Sequence, residues 1–143
     1  MAENDAVFVL WGEGCDEALA VAWVSRLRAE GRRVYLVGVS GRRNRGSYGV
    51  SVAPDIGLDE ALALADQTAL VIVPCAETVL DALRRDPRFD KFLACTRGVL
   101  AQPQAVESLA GLLAKVLVIP TNEESFYEET LLQRFVCQNL AEN

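Results

Sequence analysis

The chain has 143 residues, 51% of them hydrophobic and 24% charged, with a formal net charge of −6. That size and apolar content suit one domain with a sizeable core and exclude a disordered chain. The acidic balance argues against a general affinity for nucleic acid or anionic membrane, and no apolar run reaches the roughly 20 residues of a membrane span.

Six short apolar runs alternate with helical patterns. Ala6–Trp11 comes first and is apolar on both faces, as strands are when helices cover both sides of a parallel sheet. A helix follows from Asp16, a good N-cap, to Glu30, and Gly31 is placed to end it. Arg33–Val39 is the second strand. A polar insertion, Ser40–Tyr48, then carries Arg42, Arg43 and Arg45 before a third run, Val50–Ala53. A short helix spans Leu58–Ala65, and Ala69–Val73 is the fourth strand. Helices are expected over Glu77–Arg85 and, with Pro87 in its first turn, through Thr96. Gly98–Ala101 is the fifth strand, Pro103 opens a helix through Leu113, and Val116–Ile119 is the last strand. Thr121–Glu124 and Ser125–Glu128 both match a capping box, so the tail from about Ser125 to Leu140 reads as helix. The alternation predicts an α/β fold, a three-layer doubly wound sandwich on a mostly parallel sheet with flavodoxin- or Rossmann-like topology. It spans residues 1–143 as a single domain. Met1–Asp5 is acidic and lacks the basic start and apolar core of a signal peptide, so a cytoplasmic location is expected.

The residues that could carry chemistry are few. The chain contains no His, which removes the commonest general base. Where a fifth strand turns into a helix, many α/β hydrolytic folds lift a nucleophile out of the sheet on a strained elbow. Here that turn offers Ala101, Gln102 and Pro103, none of them nucleophilic, and no Cys, Ser or Thr lies between Gly98 and Glu107.

The four cysteines, Cys15, Cys75, Cys95 and Cys137, show no CxxC and no metal-finger spacing, so they read as buried small hydrophobes and no metal is expected. Cys95 belongs on the helix before the fifth strand. As an elbow it would put Pro103 inside the next helix at a cost of roughly 3 kcal/mol. It is expected to be among the slowest thiols. Cys15 and Cys75 follow the carboxyl ends of strands, where open α/β sheets bind ligands. With Asp16 and Glu17 on the same rim they could form a thiol-plus-carboxylate pocket, Cys15 being activated by the helix start. The alternative is that Cys75 packs under the elbow and Asp16 only caps the helix. Arg42, Arg43 and Arg45 are either solvated or a docking point for an acidic partner or a phosphate. The first helix is apolar nearly all round over its first two turns, which predicts cover on both sides. A partner interface anchored by Trp23 is the favoured reading, and burial by another segment of the same chain is the other.

Three segments in series resemble the ThiJ/PfpI family of the class I glutamine-amidotransferase-like superfamily. The first is Gly14-Cys15-Asp16-Glu17 after a strand, with Gly31-Arg32-Arg33-Val34 after the helix. The second, most specific, is Gly49-Val50-Ser51-Val52-Ala53-Pro54-Asp55 followed by Leu58-Asp59-Glu60-Ala61. The third is Leu70-Val71-Ile72-Val73-Pro74, then Leu83-Arg84-Arg85-Asp86-Pro87 and Ala110-Gly111-Leu112-Leu113. Together they cover Ala6 to Ile119. The resemblance implies the family's fold, and chemistry by a Cys on the elbow, a Glu at the start of the first helix and often a His.

That chemistry does not carry over. The nucleophile position falls on Ala101 counted back from Ala110, or on Gln104 counted forward from Gly98. The helix-start Glu position falls on Leu19, with Asp16 and Glu17 only nearby. The two glycines usual after Pro74 are Cys75 and Ala76, and the chain ends before the last strand–helix region where the His often lies. The resemblance therefore implies a catalytically degenerate binding, regulatory or assembly module. It is expected to need no cofactor, to form a homodimer and to act on an unknown protein partner. The alternative is a divergent cysteine-dependent enzyme or redox sensor using Cys15 or Cys75. A third reading, an unrelated Rossmann- or flavodoxin-like binder, is weakened because Gly12-Glu13-Gly14 lacks the third glycine of the dinucleotide fingerprint.

Overall fold

Strand β1 (Ala6–Trp11) is buried at all six positions, as its two apolar faces require. The computed structural model describes residues 5–39, 44–96, 98–101 and 116–118. After β1, helix α1 (Glu17–Ala29) starts at Asp16, whose carboxylate accepts a hydrogen bond from the Leu19 amide at 3.0 Å. It ends at Gly31, whose φ of 81° is the left-handed conformation that glycine adopts most readily. Strand β2 (Val34–Gly38) then lies parallel to β1, in register from Val7 opposite Val34 to Trp11 opposite Gly38.

The chain continues through β3 (Asn44–Arg45), β4 (Ser51–Val52), β5 (Ile56–Gly57) and α2 (Leu58–Ala63) to a 3-10 turn at Ala65–Gln67. Next come β6 (Thr68–Val73), α3 (Glu77–Leu83), α4 (Pro87–Ala94), β7 (Val99–Ala101) and β8 (Val116–Val118). Pro87 stands in the first turn of α4, and Asp86 caps it by accepting from the Arg88 amide at 3.0 Å.

The main sheet has six strands in the order β5-β2-β1-β6-β7-β8. All of its pairings are parallel, and the protein is a three-layer α/β sandwich. Its core is built on Phe8, Leu10 and Trp11 of β1, Leu70 and Ile72 of β6, and Leu80, Phe89, Phe92 and Leu93 of the helices, all fully buried. Phe8 stacks on Tyr35 of the next strand with ring centroids 5.5 Å apart and meets Phe92 of α4 edge-on at 5.4 Å. The chain moves from β1 outward to β2 and β5, then from β6 outward the other way to β7 and β8. The topological switch point therefore lies between β1 and β6, outside whose carboxyl ends a ligand crevice is expected.

One expected strand is placed differently. Val50–Ala53 does not join the parallel sheet; Ser51 and Val52 pair antiparallel with Arg45 and Asn44 in a separate hairpin. A buried parallel strand needs apolar side chains on both faces, and here Ser51 is exposed and Pro54 has no N–H to donate. The sheet edge is taken instead by Ile56–Gly57. The hairpin is tied back to β1 by the Trp11 indole N–H, which donates to the Val52 carbonyl at 3.2 Å. The helices expected over Pro103–Leu113 and Ser125–Leu140 lie outside the described residues. No helix among the described residues is long and apolar enough to cross a membrane.

Candidate functional site

At the end of β1 the chain turns through Gly12-Glu13-Gly14-Cys15, with the Cys15 amide donating to the Gly12 carbonyl at 3.1 Å. Gly14 sits at φ 84°, which suits the third residue of a type II turn. At the end of β6, Pro74 accepts a hydrogen bond from the Asp16 amide at 2.8 Å, so the turns that follow β1 and β6 are joined through their backbones. Cys15 and Cys75 project from these two turns into the switch-point crevice. They are bonded to each other as a disulfide, 60 residues apart in sequence and with Cα atoms 4.5 Å apart. Both are fully buried.

This corrects several expectations. The cysteines are buried, but they are not separate small hydrophobes, and the free thiol-plus-carboxylate pocket does not form in this oxidised state. Nor does Cys75 simply pack under the elbow. Nothing in their spacing announces the bond. It depends on the parallel pairing of β1 and β6, which sets the turn carrying Cys15, four residues past β1, against the turn carrying Cys75, two residues past β6.

Glu17, at the first position of α1, is buried, with 5% of its surface exposed. Its two carboxylate oxygens accept from the Tyr48 amide at 2.9 Å and the Val50 amide at 2.8 Å. Burial alone would raise its pKa, but these bonds, with others from its own amide and the Ser47 side chain, hold the carboxyl below its ordinary value. Any side chain at Gly46 would collide with the same carboxylate. Glu17 is thus an ionised brace for the hairpin, with its oxygens aimed at backbone and not at an open site. Asp16 is engaged as the helix cap.

The segment 45–50 hangs on the β1–α1 turn by several further bonds. Gly14 donates to the Arg45 carbonyl and Ser47 donates to the Cys15 carbonyl, each at 2.9 Å, and the Arg45 amide donates to the Glu13 carboxylate at 2.9 Å. The hairpin presents Tyr48 and Val50, 72% and 54% exposed, beside the exposed Arg45. Arg42 and Arg43 lie outside the described residues.

Trp23 is not a partner anchor. It is 3% exposed within the single chain and shares the sheet-facing stripe of α1 with Ala20 and Leu27, at the i, i+3, i+7 spacing of a buried helix face. The outward stripe carries small residues, Ala18, Ser25 and Ala29, around a half-exposed Val21. The expectation for Cys95 is likewise corrected. It caps the C-terminus of α4, off the stripe formed by Phe89, Phe92 and Leu93, and it is exposed as a free thiol. Ala101 is the last residue of β7, in register with Val73 of β6, two residues before Cys75. Gln102 and Pro103 lie outside the described residues.

A second space went unnoticed in the sequence. A cavity of about 610 Å³ opens at the sheet edge, lined by Gly38, Asp55, Gly57, Asp59, Glu60 and Arg88 among others. It lies where the two-residue strand β5, entered through Pro54-Asp55, pairs with Val37 and Gly38 at the carboxyl end of β2. Among the described residues no three His, Cys, Asp or Glu side chains come together to hold a metal.

No protein-family model matches the chain, and no curated protein matches its sequence. Solved structures do. DJ-1beta of Drosophila melanogaster superposes with a TM-score of 0.66 at 20% identity, over 76% of this chain and 60% of that one. DJ-1 of Toxoplasma gondii in its oxidised form gives 0.66 at 16%, over 95% and 98%. The putative protease I of Bacteroides thetaiotaomicron gives 0.66 at 10%, over 94% and 99%. This is the DJ-1/ThiJ/PfpI fold. The chain spans 60% of the length of the fly protein and 54% of another match, the VC2308 protein, and at these identities the likeness is one of fold.

Proposed function

We propose that this DJ-1/ThiJ/PfpI-fold domain is a non-catalytic binding module. One observation carries the reading: at the switch point, the side chains that could do chemistry are already bonded to the chain itself. Cys15 holds Cys75, Glu17 holds the hairpin, and neither candidate elbow position, Ala101 or Gln104, carries a nucleophile. A group held in that way neither attacks a substrate nor accepts its proton. The module works in the cytoplasm through protein contacts, and a second copy of the chain is its first partner. The small-residue outer stripe of α1 around Val21 supports that pairing, because small side chains let two helices approach closely. Sedimentation at micromolar concentration tests it: a dimer is expected, shifted toward monomer by Val21→Glu with an unchanged far-ultraviolet spectrum.

The catalytic half of the reading is tested with a generic ester and with methylglyoxal, before and after treatment with a dithiol. Turnover at background in both states is expected. Turnover that appears on reduction and disappears in Cys75→Ser would establish the other reading, a cysteine-dependent enzyme. The placement of both thiols at the switch point is the observation that favours this second reading.

A further inference from the structure

We propose that Cys15–Cys75 is a reversible thiol–disulfide exchange site whose state is read out by the 45–50 hairpin. This goes beyond the binding-module reading and holds whether or not the domain catalyses a reaction. The first support is that the bond is not needed to hold its two strands together. β1 and β6 are already joined by a parallel ladder from Ala6 opposite Thr68 to Val9 opposite Ile72, and their following turns by the Asp16–Pro74 backbone bond. Opening the sulfur–sulfur bond leaves that register in place.

The second support is the cover over the pair. Glu13 and Ala76 are exposed and Gly14 is half-buried, so the residues flanking the buried sulfurs in both turns reach solvent. The 12–15 turn is closed on itself by the Cys15–Gly12 bond and tied to the hairpin by the Gly14–Arg45, Ser47–Cys15 and Arg45–Glu13 bonds, which open with it. Lifting it admits a thiolate, which gates the exchange without unfolding the sheet.

The third support is what hangs on the same residues. Glu13, Gly14, Cys15 and Glu17 together hold Arg45, Ser47, Tyr48 and Val50 through the hydrogen bonds described above. The disulfide is a second tie, beside the Asp16–Pro74 bond, between this stretch of chain and the turn after β6. When it opens, the 13–16 turn relaxes and the hairpin bearing Arg45, Tyr48 and Val50 loosens with it.

The co-reactant is a soluble dithiol. One of its thiolates attacks a cystine sulfur, forming a mixed disulfide, and the other cysteine leaves as a thiolate that takes up a proton. The second thiol of the reagent then closes on the mixed disulfide, releasing the remaining cysteine as a thiol and the reagent as its own disulfide. Two electrons and two protons pass from dithiol to cystine, and oxidised glutathione reverses the exchange.

The test uses the full chain and dithiothreitol. Thiols are trapped with a maleimide and assigned by peptide mass, and amide hydrogen exchange is followed in both states. In the oxidised protein Cys15 and Cys75 should be unlabelled. With dithiothreitol both should label together while the far-ultraviolet spectrum persists, and oxidised glutathione should re-form the same pair. The amides of Ser47, Tyr48 and Val50 should then exchange roughly tenfold faster or more, with β1 and β6 unchanged. The double variant Cys15→Ala/Cys75→Ala should match the reduced state, and if it fails to fold, the wild-type measurements decide alone. The proposal is overturned if the pair is reduced only at the rate of global unfolding. Hairpin amides that exchange equally in both states would also overturn it.

Discussion

Two places at the carboxyl end of the same sheet are built in opposite ways. Between β1 and β6 the crevice that the topology creates is filled: two sulfurs are bonded to each other, and a buried carboxylate is bonded to the hairpin beside it. At the β2–β5 edge, about 610 Å³ stays open, with Asp55, Asp59, Glu60 and Arg88 on its walls. The difference teaches that strand order decides where a crevice lies, whereas a few turn residues decide whether it remains one. Cys75 and Ala76 stand where the resembling family has two glycines, and the first of these positions now supplies half of the seal.

The sharpest way to break this comparison is to remove the seal. Cys75→Ser opens a link between residues 60 apart in sequence. On a chain-entropy account its loss should lower unfolding stability by about 4 kcal/mol, read from the urea midpoint of the oxidised wild type against the variant. The protein should stay folded, because the β1–β6 ladder does not involve either sulfur. A midpoint that does not move would mean that the two turns are held by their backbone bonds alone.

The next test addresses Glu17 through pH. Its folded pKa lies below its ordinary value, so its ionised form stabilises the native state. That contribution is fully present above the unfolded carboxyl's pKa of about 4.3, and it is lost as pH falls through the lower folded value. Glu17→Gln should flatten the acid limb of the stability profile and speed exchange of the Tyr48 and Val50 amides at neutral pH. Some acid sensitivity should survive in the variant, because Asp86 is also held below its ordinary value, first by the Arg88 side chain and then by the Arg88 amide. An unchanged acid limb in Glu17→Gln would remove the brace from the account.

At the open edge the effects should be smaller. Arg28 donates to Asp55 at 2.7 Å and to the Val34 carbonyl at 2.9 Å, while Asp55 also accepts from the Leu36 amide at 2.8 Å. The two charged side chains are 48% and 39% exposed, so water and salt screen the pair. Arg28→Ala should therefore cost about 1 kcal/mol or less, and less still at high salt. A loss comparable to that of Cys75→Ser would show that the edge, too, is a sealed structure.

Much of the fold was legible because strand and helix signals agree with each other. The two-sided apolar runs, Asp16 before a helix, Gly31 after it and Pro87 within a first turn all specify the same local structure. The site was legible in one respect, that Cys15 and Cys75 both follow strands. What they do there was not, because a disulfide depends on the register of two strands that pair across 60 residues of chain. Trp23 was misplaced for a related reason. A helix rich in Ala and Val gives a weak contrast between its faces, and the large residue could belong to either. The structure puts it on the sheet side, with Ala18, Val21, Ser25, Arg28 and Ala29 exposed on the other faces.

Cys95 offers the smallest expected effect and the cleanest contrast with the sealed pair. It lies at the end of α4, exposed, with its thiol 3.4 Å from the Lys91 carbonyl. Exchanging sulfur for oxygen at such a position removes almost no buried surface, so Cys95→Ser should change stability by less than about 0.5 kcal/mol. Reactivity should respond in the opposite order. In the native oxidised protein the Cys95 peptide should label quickly with a thiol reagent, whereas the Cys15 and Cys75 peptides should not label until a dithiol is added. Peptide mass is the necessary readout, since the chain has a fourth cysteine, Cys137, that a bulk titration would not distinguish. A slow Cys95 would place its side chain back against the sheet. A fast Cys15 or Cys75 without reductant would mean that the crevice is open and the contrast between centre and edge is lost.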